Sequence, residues 1–170
     1  MENIKNQNNS IEEMAANYLD EDKRKAFFDF YTFLTDNKIG KRKSGKYTCW
    51  AFTYKRKRIF TLSFHENSWG MLYFNLHQKD KWFEKMEKHL TPELTDFILS
   101  HINTEFNCCV KEKCNAIENR VILGKLFENR TCACSPIGIY NPEGEELEYA
   151  KKLALLGKKI IAETVANDNV

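Results

Sequence analysis

The sequence predicts an α+β fold: a central antiparallel sheet with N-terminal helices and a long C-terminal helix packed on one face. Three observations predict it. Residues 47–54 and 58–64 alternate by twos between apolar and polar side chains, and a third strand-like run covers 69–76. The flanking segments carry apolar residues at helical spacing. One amphipathic run near the C-terminus is the longest in the chain. At 170 residues the chain is read as one domain with a full core. Its two ends, 1–9 and 166–170, are expected to fray.

Ser10-Ile11-Glu12-Glu13 is a capping box, and Ile11, Met14, Ala15, Tyr18 and Leu19 follow on one helical face. Asp20-Glu21-Asp22 suits a second helix start, because acids oppose the helix dipole there. Phe27, Phe30, Tyr31 and Leu34 form its apolar stripe, read as core.

Residues 38–58 hold nine basic side chains and no acidic one, with Tyr47, Trp50, Phe52 and Tyr54 interleaved. Such a mixture can bind nucleic acid, with rings stacking on bases. It also suits a solvated loop at 41–45 and a hairpin tip at 55–58, where charge deters edge pairing. On that reading Lys41, Arg42, Lys43, Lys55, Arg56, Lys57 and Arg58 are exposed and contribute little to stability.

In the predicted meander, Trp50, Phe52 and Tyr54 share a face of the first strand, and Phe60, Leu62 and Phe64 a face of the second. The opposite face offers the small residues Cys49, Ala51, Thr53, Thr61 and Ser63. If Trp69, Met71 and Tyr73 stand beside those, a concavity with an aromatic wall results. The candidate ligand-binding residues are therefore Trp50, Tyr54, Trp69, Met71 and Tyr73.

A short helix is expected at 79–89, burying Trp82, Phe83 and Met86. Thr91-Pro92-Glu93 begins another, with Thr91 as cap. His77, His89 and His101 are read as surface or helix-end histidines, and His101 is the one near the cysteines. Val121 to Phe127 reads as a strand or strand-like turn, and 137–140 as a last strand. Asn141 is expected to cap the long helix, whose apolar face includes Leu147, Ala150, Leu153 and Ile160.

Five of the six cysteines fall between 108 and 134. Cys108, Cys114, Cys132 and Cys134 can supply four thiolates for a structural zinc ion. Cys109 or Cys132 can equally be a reactive thiol, and all can be reduced core residues. Neither half of the cluster is a Cys-x-x-Cys knuckle, so the three readings stay open.

A net charge of +2 creates no global field to recruit nucleic acid or a membrane. No apolar run approaches the roughly 20 residues of a membrane span, and the polar N-terminus is no signal peptide. A cytoplasmic location is expected. Phosphate-binding glycine loops, nucleophile elbows and His-Glu-x-x-His are absent, and no catalytic residue is assigned.

Trp50-Ala51-Phe52-Thr53-Tyr54-Lys55, Ser68-Trp69-Gly70, Ile122-Leu123-Gly124-Lys125-Leu126-Phe127 and Asn141-Pro142-Glu143-Gly144 resemble segments of a family of small, uncharacterised bacterial α+β proteins. The chain is also distantly similar to single-domain GyrI-like ligand-binding proteins. That resemblance implies a small hydrophobic or cationic ligand cupped against a curved sheet. It also implies a buried acid facing the ligand, and Glu66, in a turn, is the only acid among the strands. The expected function is thus a non-enzymatic effector-type binding domain. The alternatives are a protein- or nucleic-acid-binding module with a basic hairpin and a zinc-held loop, and a thiol-dependent enzyme.

Overall fold

The computed structural model describes residues 10–44, 48–73, 79–102, 117–132 and 137–167. Five helices and seven strands follow in the order α1 (Ile11–Tyr18), α2 (Glu21–Asp36), β1 (Gly40–Lys43), β2 (Cys49–Tyr54), β3 (Lys57–His65), β4 (Ser68–Tyr73), α3 (Lys79–Glu87), α4 (Pro92–Ser100), β5 (Ile117–Ile122), β6 (Lys125–Cys132), β7 (Ile137–Tyr140) and α5 (Gly144–Asn167). The fold is α+β, as expected. Its centre is a five-stranded antiparallel sheet in the order β1-β2-β3-β4-β7, and β5 and β6 form a separate two-stranded sheet. Residues 1–9 and 168–170, within the ends expected to fray, lie outside the described residues.

The N-terminal helices start where local chemistry dictates. Ser10 Oγ accepts from the Glu13 amide at 3.1 Å, and Glu13 Oε2 accepts from the Ser10 amide at 2.7 Å. Asp20 caps α2 by accepting from the Lys23 amide at 3.0 Å. The Asp20 amide in turn donates to Asn67 Oδ1 in the β3–β4 turn, which ties the helix start to the sheet.

Register fixes which face is buried. Phe52 stands opposite Phe60, Phe60 opposite Tyr73, and Tyr73 opposite Ile137. The neighbouring row is Trp50, Leu62, Met71 and Ile139. All eight are buried, and the helices cover them. Phe52 and Phe60 stack at 4.9 Å, and Phe27 of α2 meets Phe64 and Trp69 edge-on at 5.1 and 5.5 Å. Each such ring pair adds about 0.5–1.5 kcal/mol beyond burial. Trp69 Nε1 is buried among these rings without a hydrogen-bond partner among the described residues.

Helix α5 is seated on the sheet at two points. The buried Tyr73 hydroxyl donates to the Ala150 carbonyl at 3.2 Å, and burial pushes its pKa far up, so it stays a donor. The register of β2 and β3 slips between Phe52 and Thr53, which leaves Ile59 unpaired as a bulge. Ile59 lies against Gly157 of α5. A Cβ there would run into Ile59 Cγ2 and stand 3.7 Å from Trp82 Cη2. Helices α3 and α4 pack on α5 in turn, through Lys85 Nζ to Thr164 Oγ1 at 2.9 Å and Phe97 stacked on Tyr149 at 5.0 Å.

Four expectations need correction. Residues 41–43, expected in a solvated loop, belong to edge strand β1, which is exposed at all four positions. Of the basic side chains expected to be exposed, Lys41 is exposed but engaged. Its Nζ reaches Glu12 Oε1 at 2.7 Å and also donates to the Tyr31 hydroxyl, while Lys57 and Arg58 are half-buried. Val121 to Phe127, expected as one strand or strand-like turn, is divided between β5 and β6, where Val121 and Leu126 pair and are 64 and 55% exposed while Ile122, Leu123 and Phe127 pack on the core. Asn141 does not cap α5. It has φ 45°, its Oδ1 accepts from the Trp69 amide at 2.9 Å, and its Nδ2 donates to Ser68 Oγ at 3.1 Å.

Two stability predictions follow from these contacts. Alanine at position 157 gains about 1 kcal/mol of helix propensity, but overpacking against Ile59 costs about 1–3 kcal/mol. Gly157→Ala is expected to lower stability in urea by up to roughly 2 kcal/mol, and adding Ile59→Ala should cost less than the two changes summed. At Glu12, burial opposes the charge, but hydrogen bonds from Lys41 and Tyr31 outweigh it and bring the pKa down from 4.5 to about 2. A lowered folded-state pKa gives stability that is present above the unfolded value and lost as pH falls through the folded one. Glu12→Gln is therefore expected to cost about 1 kcal/mol or less at pH 7, since the pair is partly solvated. That difference should fade between pH 4.5 and about 2 in pH-dependent denaturation.

Candidate functional site

The face of the central sheet away from the helices is built mostly of small residues. Alternation places Thr61, Ser63 and His65 on this side of β3. One cross-strand row runs Cys49, Ser63, Gly70 and Tyr140, and the next runs Ala51, Thr61, Leu72 and Gly138. Ala51 is fully buried but stands apart from the helix-covered core.

Two glycines shape this face. Tyr140 lies across β4 and β7, over both Gly70 and Gly138. A Cβ at Gly70 would collide with Tyr140 Cδ1 and stand 2.9 Å from Cε1, and one at Gly138 would stand 3.0 Å from Cε2 and 3.2 Å from the hydroxyl oxygen. Glycine inside a strand often marks such a close approach. The ring therefore rests on backbone instead of standing up from the sheet. Beside it opens a depression of about 310 Å³ lined by Ser63, His65, Leu72 and Tyr140.

The polar groups of this depression are few. Ser63 is 8% exposed, and its Oγ is 3.4 Å from His65 Nε2, long for a hydrogen bond between these atoms. Cys49, at the end of the same row, is half-buried, and burial pushes its thiol pKa up. A raised pKa leaves it mostly the unreactive thiol.

A second depression, about 420 Å³, lies between the α3–α4 turn and Leu123 at the tip of β5–β6. Its rim carries Glu87 and Asp96, both exposed. Leu123 has φ 49°, a conformation that costs a bulky residue energy. It packs against the core beside the buried Ile122. We read this larger space as the seam where the hairpin docks. The smaller one is the better candidate site, because a hydrogen-bonded sheet floors it and a nearly buried hydroxyl faces it.

The predicted site residues are distributed differently. Trp69, Met71 and Tyr73 pair with Phe64, Leu62 and Phe60, so register puts them on the helix-covered face. They and Trp50 are buried in the core, and the aromatic wall expected beside the small residues is not there. Tyr54 is half-buried beneath Lys158, whose Nζ is 5.1 Å from its ring centre. The rings interleaved with the basic run are likewise spoken for: Trp50 and Phe52 are core residues, and Tyr47 lies outside the described residues.

Cys108, Cys109, Cys114 and Cys134 lie outside the described residues, and Cys132 ends β6 opposite Ile117. No group of three or more His, Cys, Asp or Glu side chains is arranged for a metal among the described residues. His89 pairs with Glu163 at 3.2 Å and His101 lies 3.7 Å from Glu146, both at helix ends, while His77 lies outside the described residues. No helix among the described residues is long and apolar enough to cross a membrane.

His65, Gly70, Leu72, Gly138 and Tyr140, on the sheet face away from the described helices, escaped the sequence-based site. The signal was present in Trp69-Gly70-Met71 and Gly138-Ile139-Tyr140, two strands interrupted by glycine. No family model matches the chain, and neither does any curated protein or solved structure.

The glycine floor is testable. Gly70→Val is expected to cost about 1–3 kcal/mol, because the new side chain must lift Tyr140. Gly40→Val is the control, since a Cβ there meets only ordinary contacts at 3.7 and 3.9 Å. It should change stability by less than about 0.5 kcal/mol. Equal losses in chemical denaturation would show that the close approach at Gly70 is not what matters.

Proposed function

We propose that this chain is a non-enzymatic domain that binds a small molecule on the open face of its central sheet. One observation carries the reading. The sheet packs one face with large side chains, while the other offers a glycine-floored depression beside Ser63, His65, Leu72 and Tyr140. Ligand sites are concave, mostly apolar and largely preformed, with a few convergent polar groups. The described lining has no carboxylate, which, of the hydrophobic or cationic ligands that the GyrI-like resemblance implies, favours the hydrophobic kind. A binding role is preferred to an enzymatic one because burial shifts the Cys49 thiol away from its reactive form.

One feature favours a zinc-held loop as an additional element. Ile117 pairs with Cys132, so the segments carrying Cys114 and Cys134 join the β5–β6 hairpin at the same end. Elemental analysis of untagged protein tests this: about one zinc per chain supports it, and metal-free protein rejects it.

The binding reading is tested by screening a small-molecule library for thermal stabilisation of the wild-type chain and of Gly70→Val. A ligand at a hundred times its Kd stabilises by about 2.7 kcal/mol, a shift of several degrees for a domain of this size. Hits are expected that stabilise the wild type and not the variant. Hits that stabilise both equally would place binding elsewhere and contradict the proposal.

A further inference from the structure

The geometry points to an aromatic-ring subsite on the open face: we infer that the ligand carries a small planar ring that stacks on the outer face of Tyr140 and turns a hydrogen-bonding edge group toward Ser63. This rests on the binding reading above and names the ligand class.

The first support is the posture of Tyr140. Gly70 and Gly138 let its ring lie flat across β4 and β7, with one face on backbone. The ring remains 38% exposed. A ring lying on a sheet presents a flat π surface outward, whereas a side chain at either glycine would tilt or lift it. The platform is thus held in place before any ligand arrives, which lowers the ordering cost of binding.

The second support is the company the ring keeps. Leu72 lines the same depression and supplies an apolar wall, while Ser63 supplies the nearly buried hydroxyl, both donor and acceptor. Among the described residues its hydroxyl contacts His65 at a long 3.4 Å, so a ligand group can compete for it. His65 itself is exposed at the rim. A depression of about 310 Å³ is at the small end for ligand sites, which suits one or two fused rings better than an extended chain. Stacking on Tyr140 distinguishes a planar ring from a saturated one of equal bulk. Simple burial of apolar surface does not.

The test is calorimetric titration of the full chain with 2-naphthol and with decahydro-2-naphthol, its saturated counterpart, with amide shift mapping to locate each. The aromatic compound is expected to bind roughly tenfold more tightly than the saturated one and to perturb residues 63, 70, 72 and 138. Tyr140→Phe keeps the platform and should keep that preference. Tyr140→Leu, with its fold checked by circular dichroism, should abolish it. Ser63→Ala should weaken 2-naphthol while leaving its preference over the saturated compound. Equal affinity for the two compounds, or a preference that survives Tyr140→Leu, would overturn the inference. If neither compound perturbs this face but other library hits do, the ring subsite is wrong and the binding reading stands. If no compound of any class perturbs it, both fall.

Discussion

The seating of α5 on the central sheet is the constraint on which the rest of the structure depends. A long helix can lie close to a sheet only where side chains make room. Ile59, pushed out by the bulge in β3, meets α5 at Gly157, the one residue there without a Cβ. Tyr73 then fixes the helix by its hydroxyl on the Ala150 carbonyl. With α5 in place, α3 and α4 have a surface to pack on, and Phe27 and Phe30 of α2 close the core over Phe60, Phe64 and Trp69. Because this side of the sheet takes most of the large residues, the other side is left mainly to glycine, alanine, serine and threonine, with His65, Leu72 and Tyr140 among them.

The same division shows how much could be read from the sequence. The helices, their caps at Ser10, Asp20 and Thr91, and the alternating strands carry local signals, and they fold as those signals direct. Register is not a local property. Trp69, Met71 and Tyr73 alternate correctly on either face, and only pairing with Phe64, Leu62 and Phe60 selects the core. The aromatic wall was misplaced for that reason. Strand β1 was hidden because an exposed edge has no burial alternation to display. The turn Leu123-Gly124 was hidden because leucine rarely takes a positive φ, so Val121 to Phe127 read as one piece instead of two paired strands. Asn141 carried a helix-cap signal but holds β4, since an asparagine side chain can serve either backbone. Of the candidate site, the small residues of β2 and β3 were legible; Tyr140 and its glycines were not, because their meaning depends on β4 lying beside β7.

The charges divide along similar lines. Most of the basic run on 38–58 is solvated, as its composition suggests. Lys57 and Arg58 are half-buried, and Lys41, though exposed, is bonded. With Glu12 and Tyr31 it joins α1, α2 and edge strand β1, so one charge of the run braces the end of the sheet. The run is thus partly structural, and its neighbouring rings Trp50 and Phe52 are committed to the core. Neither fact suits a surface that stacks nucleic-acid bases, whereas the open face has an exposed ring and a hydroxyl facing a hollow.

The most direct measurement is a set of crystal structures of the full chain soaked with a diverse fragment collection. The account predicts that fragments gather over Gly70, Leu72 and Tyr140, with polar atoms near Ser63, and that the helix-covered face stays closed. Fragments collecting instead at the seam between Leu123 and the α3–α4 turn, with the open face empty throughout, would contradict it.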